Sequence, residues 1–222
     1  MSDPAEHSPR VFIVDHDQRL LDSLVAFLEV RGFQVRAFNS ASRFRQFYHR
    51  EMPGCLVLDA HLPRQSGLDL YEQLLHEGKR LPAIFITAHA DVPTAVAAMK
   101  TGALEFLEKP VDRQMLLDRV QSALTLDAQW RKREAQFAAI EQRICRLTKR
   151  EQETLELVLA GKSNKSMATK LLLTERAVEM RRSSIMKKLE VHSLAELLDL
   201  AVTHRILDEL RRTAREFHAR QA

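Results

Sequence analysis

The chain has 222 residues, a formal net charge of +4 and a pI near 9.2. That length carries two modest domains, each with its own core. The mild basic excess is compatible with a nucleic-acid partner, and two cysteines, Cys55 and Cys145, exclude a disulfide framework and suit a reducing cytoplasm.

No apolar run approaches the ~20 residues needed to cross a bilayer, so no membrane association is expected. Residues 1–9 are polar, lack a signal-peptide core and read as a disordered tail, which leaves the cytoplasm as the expected location. All seven prolines fall at or before Pro110, and Gly161 is the only glycine after Gly102. Breakers distributed this unevenly predict an alternating α/β region followed by an almost wholly helical one.

The first strand is the apolar run Val11-Phe12-Ile13-Val14, which stops abruptly at Asp15-His16-Asp17. Buried parallel strands read this way, with the carboxyl end opening on a crevice. A helix over Arg19 to Arg31, closed by Gly32, carries Leu20, Leu21, Leu24, Val25, Phe27 and Leu28. Phe33 to Ala37 alternates as a second strand, and Ser40 caps a helix with Phe44, Phe47 and Tyr48 on its inner face. The third strand, Cys55 to Asp59, again ends in acid; Gly67 permits the turn into a helix over Leu68 to Leu75. Pro82 opens a fourth strand ending at Thr87, Asp91 to Lys100 forms a short helix, and the run from Leu104 ends at Lys109-Pro110. Five strands alternating with helices predict a flavodoxin-like doubly wound sheet. Ligands of such sheets bind outside the carboxyl ends of the strands, so Asp15, Asp59, Thr87 and Lys109 are expected in one crevice. Two carboxylates there suit a hard cation, an Asp can accept a phosphoryl group, and a hydroxyl and an ammonium can hold phosphoryl oxygens.

Taken together, Leu58-Asp59-x-x-Leu62-Pro63, Ser66-Gly67, Thr87-Ala88 and Lys109-Pro110 resemble the receiver domain of bacterial two-component response regulators, over residues 10–126. The resemblance implies that Asp59 is the phosphoacceptor, Thr87 the phosphate-sensing hydroxyl, Lys109 the phosphate-binding cation and Phe106 the aromatic switch. It implies Mg²⁺ held by Asp15, Asp59 and the backbone carbonyl of His61, and a cis Lys109–Pro110 bond. His16 stands where the family carries its second acid, the position that most directly ligates the metal, and a neutral imidazole binds Mg²⁺ poorly.

From Asp112 to Cys145 there is neither Pro nor Gly. Apolar residues recur at helical steps through Leu116, Val120, Ala123, Leu124, Trp130, Phe137, Ile140 and Ile144. One long helix is predicted, its part over 127–145 forming a linker and coiled coil. Thr148 and Glu151 then spell a capping box, Ser163, Thr174 and Ser193 cap three further helices, and Leu194, Leu197, Leu198 and Ala201 are expected to be buried. Short helices joined by a three- to four-residue turn describe a helix-turn-helix.

Leu147-Thr148-x-Arg150-Glu151, Gly161-Lys162-Ser163-Asn164-Lys165 and Lys187-Lys188-Leu189 resemble the LuxR/FixJ-type DNA-binding domain, over residues 146–206. Aligned on that family, Glu179, Met180 and Ser183 face base edges, while Lys165, Arg181, Arg182, Lys187 and Lys188 are candidates for phosphate contact. Residues 207–222 add a helical extension with Ile206, Leu207, Leu210 and Phe217 on one face. The whole resembles a NarL-like response regulator, a non-enzymatic transcription factor. The implied partners are a histidine kinase, double-stranded promoter DNA, a second copy of the chain and RNA polymerase. Two readings stay open: regulation by phosphorylation of Asp59, or a phosphorylation-independent regulator in which His16 impairs Mg²⁺ binding.

Overall fold

The computed structural model describes residues 8–88 and 92–221; the side chains of 210–212 and of 214 onward lie outside that description. Most of the polar tail, Asp91, and the expected apolar contributions of Leu210 and Phe217 therefore fall outside the described residues. Compactness divides the chain after Arg131 into two units, Met1–Arg131 and Lys132–Ala222.

The first unit has strands β1 (Arg10–Val14), β2 (Gln34–Phe38), β3 (Gly54–Asp59), β4 (Ala83–Thr87) and β5 (Glu105–Glu108). They alternate with helices α1 (Gln18–Glu29), α2 (Ala41–Phe47), α3 (Gly67–His76) and α4 (Val92–Thr101), followed by α5 (Arg113–Cys145). All strand pairs are parallel, in the order β2-β1-β3-β4-β5, with the winding reversed between β1 and β3. This is the expected flavodoxin-like sheet. Because side chains alternate across a strand, Phe12, Val14, Leu56, Leu58 and Phe85 pack with α2 and α3 on one face. Val11, Ile13, Cys55, Val57, Ile84 and Ile86 pack with α1 and the first turns of α5 on the other. The central strands are thus covered on both sides, which explains their unbroken apolar runs.

Glycine 67 does something other than turn the chain. It is the first residue of α3, its N–H donates to Ala60 O at 2.9 Å, and a Cβ there would lie 2.1 Å from the carbonyl oxygen of Asp59. The helix must therefore start in contact with the backbone of the strand that carries Asp59. Gly67→Ala is expected to destabilise the first unit by about 2–4 kcal/mol, a steric cost of the overpacking kind. Urea unfolding checks this; an unchanged midpoint would show that the loop moves aside freely. Gly32, at φ +87°, lies beyond the end of α1, which stops at Glu29.

In the second unit, α6 (Lys149–Leu159), α7 (Asn164–Leu171) and α8 (Glu175–Leu189) begin at Thr148, Ser163 and Thr174, each of whose hydroxyls accepts a backbone N–H as an N-cap. Three residues, Leu172 to Thr174, separate α7 from α8, the turn of a helix-turn-helix. Helix α9 (Leu194–Gln221) is continuous, so the extension after 206 is not a separate element. Leu197 and Ala201 are buried as expected, Leu194 is exposed, Leu198 is half-buried, and Leu200, not among the expected residues, is buried. The apolar stripe of the last turns of α5 is covered within this unit: Phe137 is buried and stacks on His204 with ring centroids 5.6 Å apart, and Ile140 and Ile144 pack against the helical core.

Candidate functional site

The ends of four parallel strands assemble the crevice. Asp15 follows β1, Asp59 ends β3, Thr87 ends β4 and Lys109 follows β5. Asp15, Asp59 and Thr87 are fully buried. Lys109 Nζ lies 2.7 Å from Asp15 Oδ2 and 3.4 Å from Asp59 Oδ2, so one ammonium bridges both acids. The Lys109–Pro110 peptide is cis. Asp17 serves α1 instead of the crevice: its carboxylate accepts the N–H groups of Arg19 and Leu20, while its own N–H donates to Asp15 Oδ1 at 2.9 Å. That bond fixes the rotamer of Asp15.

Two histidines complete the site. His16 Nδ1 is 2.8 Å from Asp59 Oδ2 and 3.7 Å from Asp15 Oδ1. The N–H of His61 donates to Asp59 Oδ1 at 3.1 Å, and its imidazole Nδ1 lies 3.1 Å from Thr87 Oγ1. The resemblance implies a role for the His61 backbone carbonyl alone; the ring contact with Thr87, 26 positions later, has no local signal in the sequence. Phe106, on β5, is half-buried, its ring 6.5 Å from that of Phe85 and packed on the same core face. Acceptor oxygens, an ammonium and a hydroxyl converge in a buried crevice, donor types whose chemistry suits a divalent cation and phosphoryl oxygens.

The second unit presents an exposed face on α8, with Arg176, Glu179, Met180, Ser183 and Lys187 open to solvent, and Lys162, Lys165 and Lys170 exposed on and before α7. Arg182 donates to Asn164 Oδ1 at 2.6 Å, and Asn164 donates to Glu179, tying α8 to the scaffold helix. Arg181 and Lys188 point elsewhere. Arg181 reaches Arg150 O and Thr154 Oγ1 on α6, and Lys188 Nζ bonds Glu151 Oε2 at 2.7 Å. Both side chains therefore bond α6, at residues that the resemblance gives as candidates for phosphate contact.

Glu151 is a hub on α6, since Thr148 and Ser184 also donate to its carboxylate. Burial disfavours its charge, but Lys188, the Thr148 N–H and the Ser184 and Thr148 hydroxyls outweigh burial and bring its pKa from 4.5 down to about 2. A carboxylate depressed in the folded state stabilises it fully above about pH 4.5, and that contribution is lost as pH falls towards about 2. Glu151→Gln is therefore expected to cost on the order of 2–3 kcal/mol at neutral pH. The gap from the parent should close on acidification through that window, as followed by far-ultraviolet circular dichroism in urea. A gap independent of pH would assign the loss to packing.

The comparisons agree with this division. Residues 11–121 match the response regulator receiver domain, and residues 146–201 match the bacterial regulatory proteins of the luxR family. The chain is 38% identical to the response regulator protein TodT of Pseudomonas putida over 200 residues, 90% of this chain and 87% of that one. This protein is a LuxR-type response regulator. The transcriptional regulatory protein FixJ of Bradyrhizobium diazoefficiens is 34% identical over 90% of this response regulator and 97% of its own length. Among solved structures, the response regulator StyR superposes with a TM-score of 0.81 at 43% identity, covering 87% of this chain and 98% of that one. No helix among the described residues of this response regulator is long and apolar enough to cross a membrane. It is a two-component transcription regulator with a LuxR-type DNA-binding domain.

Proposed function

We propose that a histidine kinase phosphorylates this regulator on Asp59 and that the phosphorylated chain binds promoter DNA as a dimer. The convergence of Asp15, Asp59, Thr87 and Lys109 in one buried crevice carries the reading. In the transfer, an Asp59 carboxylate oxygen forms a bond to phosphorus as the bond from phosphorus to the donor imidazole breaks, and the electron pair returns to that ring. Lys109 already sits between the acids and is placed to pair with phosphoryl oxygens. Thr87 leaves His61 to donate its hydroxyl to the same group. Phe106, packed half-buried beside Phe85, then turns inwards and alters the face formed by α4 and β5.

Asp15, Asp59 and the carbonyl of His61 would hold a divalent cation, and a cation bound there screens the repulsion between carboxylate and phosphoryl group. The oxygen donors suit Mg²⁺; the imidazole at position 16 does not.

On DNA, α8 enters the major groove. Met180, Ser183 and Glu179 read base edges, while Lys165, Lys187 and Arg182 meet phosphates. Arg181 and Lys188 support α8 from behind. Selection of bound sequences from random oligonucleotides, with and without acetyl phosphate, tests the whole. A motif with two half-sites, enriched by the donor, is the expected result; no enrichment of any sequence would remove the reading. Within that assay, Lys187→Ala is expected to weaken all sequences uniformly and lower the salt slope by about one. Met180→Ala should instead change the preferred bases.

A second reading has its own support. His16, which stands where the resemblance places a metal-ligating acid and so weakens Mg²⁺ binding, holds Asp59 Oδ2 at 2.8 Å. In a phosphorylation-independent regulator that bond persists, and the same DNA motif is selected without donor at equal strength.

A further inference from the structure

The crevice contains one donor that a Mg²⁺ site does not call for. Asp15, His16 and Asp59 each offer an atom, and the three atoms lie within 4.8 Å of one another. We propose that the cation site of this receiver is a mixed nitrogen–oxygen site whose preferred occupant is a borderline first-row ion, of the Co²⁺ or Zn²⁺ kind, ligated by His16. This inference rests on the phosphoacceptor reading above and sharpens it.

Spacing is the first argument. Ligand atoms sharing an ion at about 2.0–2.2 Å sit roughly 3–3.5 Å apart. His16 Nδ1 is 2.8 Å from Asp59 Oδ2 and 3.7 Å from Asp15 Oδ1. The imidazole is already turned towards the acids, and its Nδ1 offers a lone pair once the ring proton resides on Nε2.

Charge is the second. With an acid at position 16, three carboxylates against Lys109 would leave a formal charge of −2; with neutral His16 the sum is −1. A hard ion that depends on charge loses by that exchange. A borderline ion is compensated by imidazole ligation. Lys109 sharpens the difference, because its ammonium already holds Asp15 Oδ2 at 2.7 Å and any cation must share that carboxylate.

Access is the third. The carboxylates are buried, whereas the His16 side chain is 48% exposed, so the imidazole stands at the mouth.

The test uses the full chain, freed of metal with a chelator, alongside His16→Asp and His16→Ala. Mg²⁺ and Zn²⁺ affinities come from isothermal titration, and Co²⁺ ligation from its visible absorption. The Zn²⁺-to-Mg²⁺ affinity ratio of the parent should exceed that of His16→Asp by at least about tenfold. The imidazole-dependent Co²⁺ spectrum should vanish in His16→Ala. An equal ratio in parent and His16→Asp overturns the proposal, as does a Co²⁺ spectrum unchanged in His16→Ala, which would assign binding to other histidines. Labelling of Asp59 by acetyl phosphate separates the two layers. Labelling with unchanged metal preference removes only this inference; no labelling with any ion, even in His16→Asp, removes the phosphoacceptor reading beneath it.

Discussion

Phosphoryl transfer from acetyl phosphate to the protein is expected to fall at least ~100-fold in Asp59→Asn, the loss typical of removing a nucleophile. Asn keeps the volume of Asp and can still accept the His61 N–H that now binds Asp59 Oδ1. The strand end should therefore remain in place while the nucleophilic oxygen is gone. Both oxygens of Asp59, the proposed acceptor, are oriented, one by the His61 amide and the other by His16 and Lys109. Asp15 is likewise held at both oxygens, by the Asp17 N–H and by Lys109. Intact-mass spectrometry reads the outcome directly, and peptide mapping locates the label. Label at the parent level in Asp59→Asn would move the acceptor elsewhere. Lys109→Ala is the partner measurement: removing a preorganised cation should cost on the order of 10²-fold in rate without abolishing the site of attachment.

These positions were legible because their signals are local. An apolar run that ends in Asp, Thr or Lys marks a strand end, and parallel topology brings strand ends together whatever the intervening helices contain. The caps at Thr148, Ser163 and Thr174 were legible for the same reason, since an N-cap bonds only two or three residues ahead. Side-chain partnerships across long sequence separations were not. Lys188 belongs to a basic cluster in sequence, yet its ammonium is held by Glu151, 37 positions earlier. The sequence marks the His61 carbonyl, whereas its ring lies against Thr87, 26 positions later. Gly67 has the sequence signature of a turn residue, whereas the carbonyl of Asp59 leaves no room for a Cβ there. Leu194 follows a cap and fits an apolar pattern, but the first turn of α9 faces solvent and the core begins at Leu197. Periodicity gives a helix its faces and leaves open where along its length the core starts.

The pair Asp127 and Arg131 shows the same blindness with a larger energetic consequence. In sequence they lie in a polar stretch of a long helix and read as linker. In the fold Asp127 is buried, and its Oδ2 accepts the Gly54 N–H at 2.9 Å and Arg131 Nε at 2.8 Å. Arg131 in turn donates to the carbonyls of Arg50, Glu51 and Met52. The guanidinium therefore gathers the loop before β3, and the carboxylate ties the first residue of that strand to α5. Beside them the Arg80 guanidinium lies 4.1 Å from the ring of Trp130, a second anchor for the same turn. Gly54 has no alternative, because a Cβ there would lie 2.1 Å from Arg10 O. Asp127→Ala leaves a buried N–H without its acceptor and a guanidinium without its counter-charge, so a loss of about 3–5 kcal/mol in the stability of the first unit is expected. Asp127→Asn, which can still accept from Gly54, should lose less. A double-mutant cycle with Arg131→Met separates the terms by urea unfolding. Strong coupling of the two changes places the energy in the ion pair; strict additivity places it in the Gly54 hydrogen bond. Hydrogen exchange supplies the structural readout, with the Gly54 and Cys55 amides opening first in Asp127→Ala. Protection there equal to the parent's would mean that β1 and β4 alone hold the strand, and that α5 rests on the sheet without being tied to it.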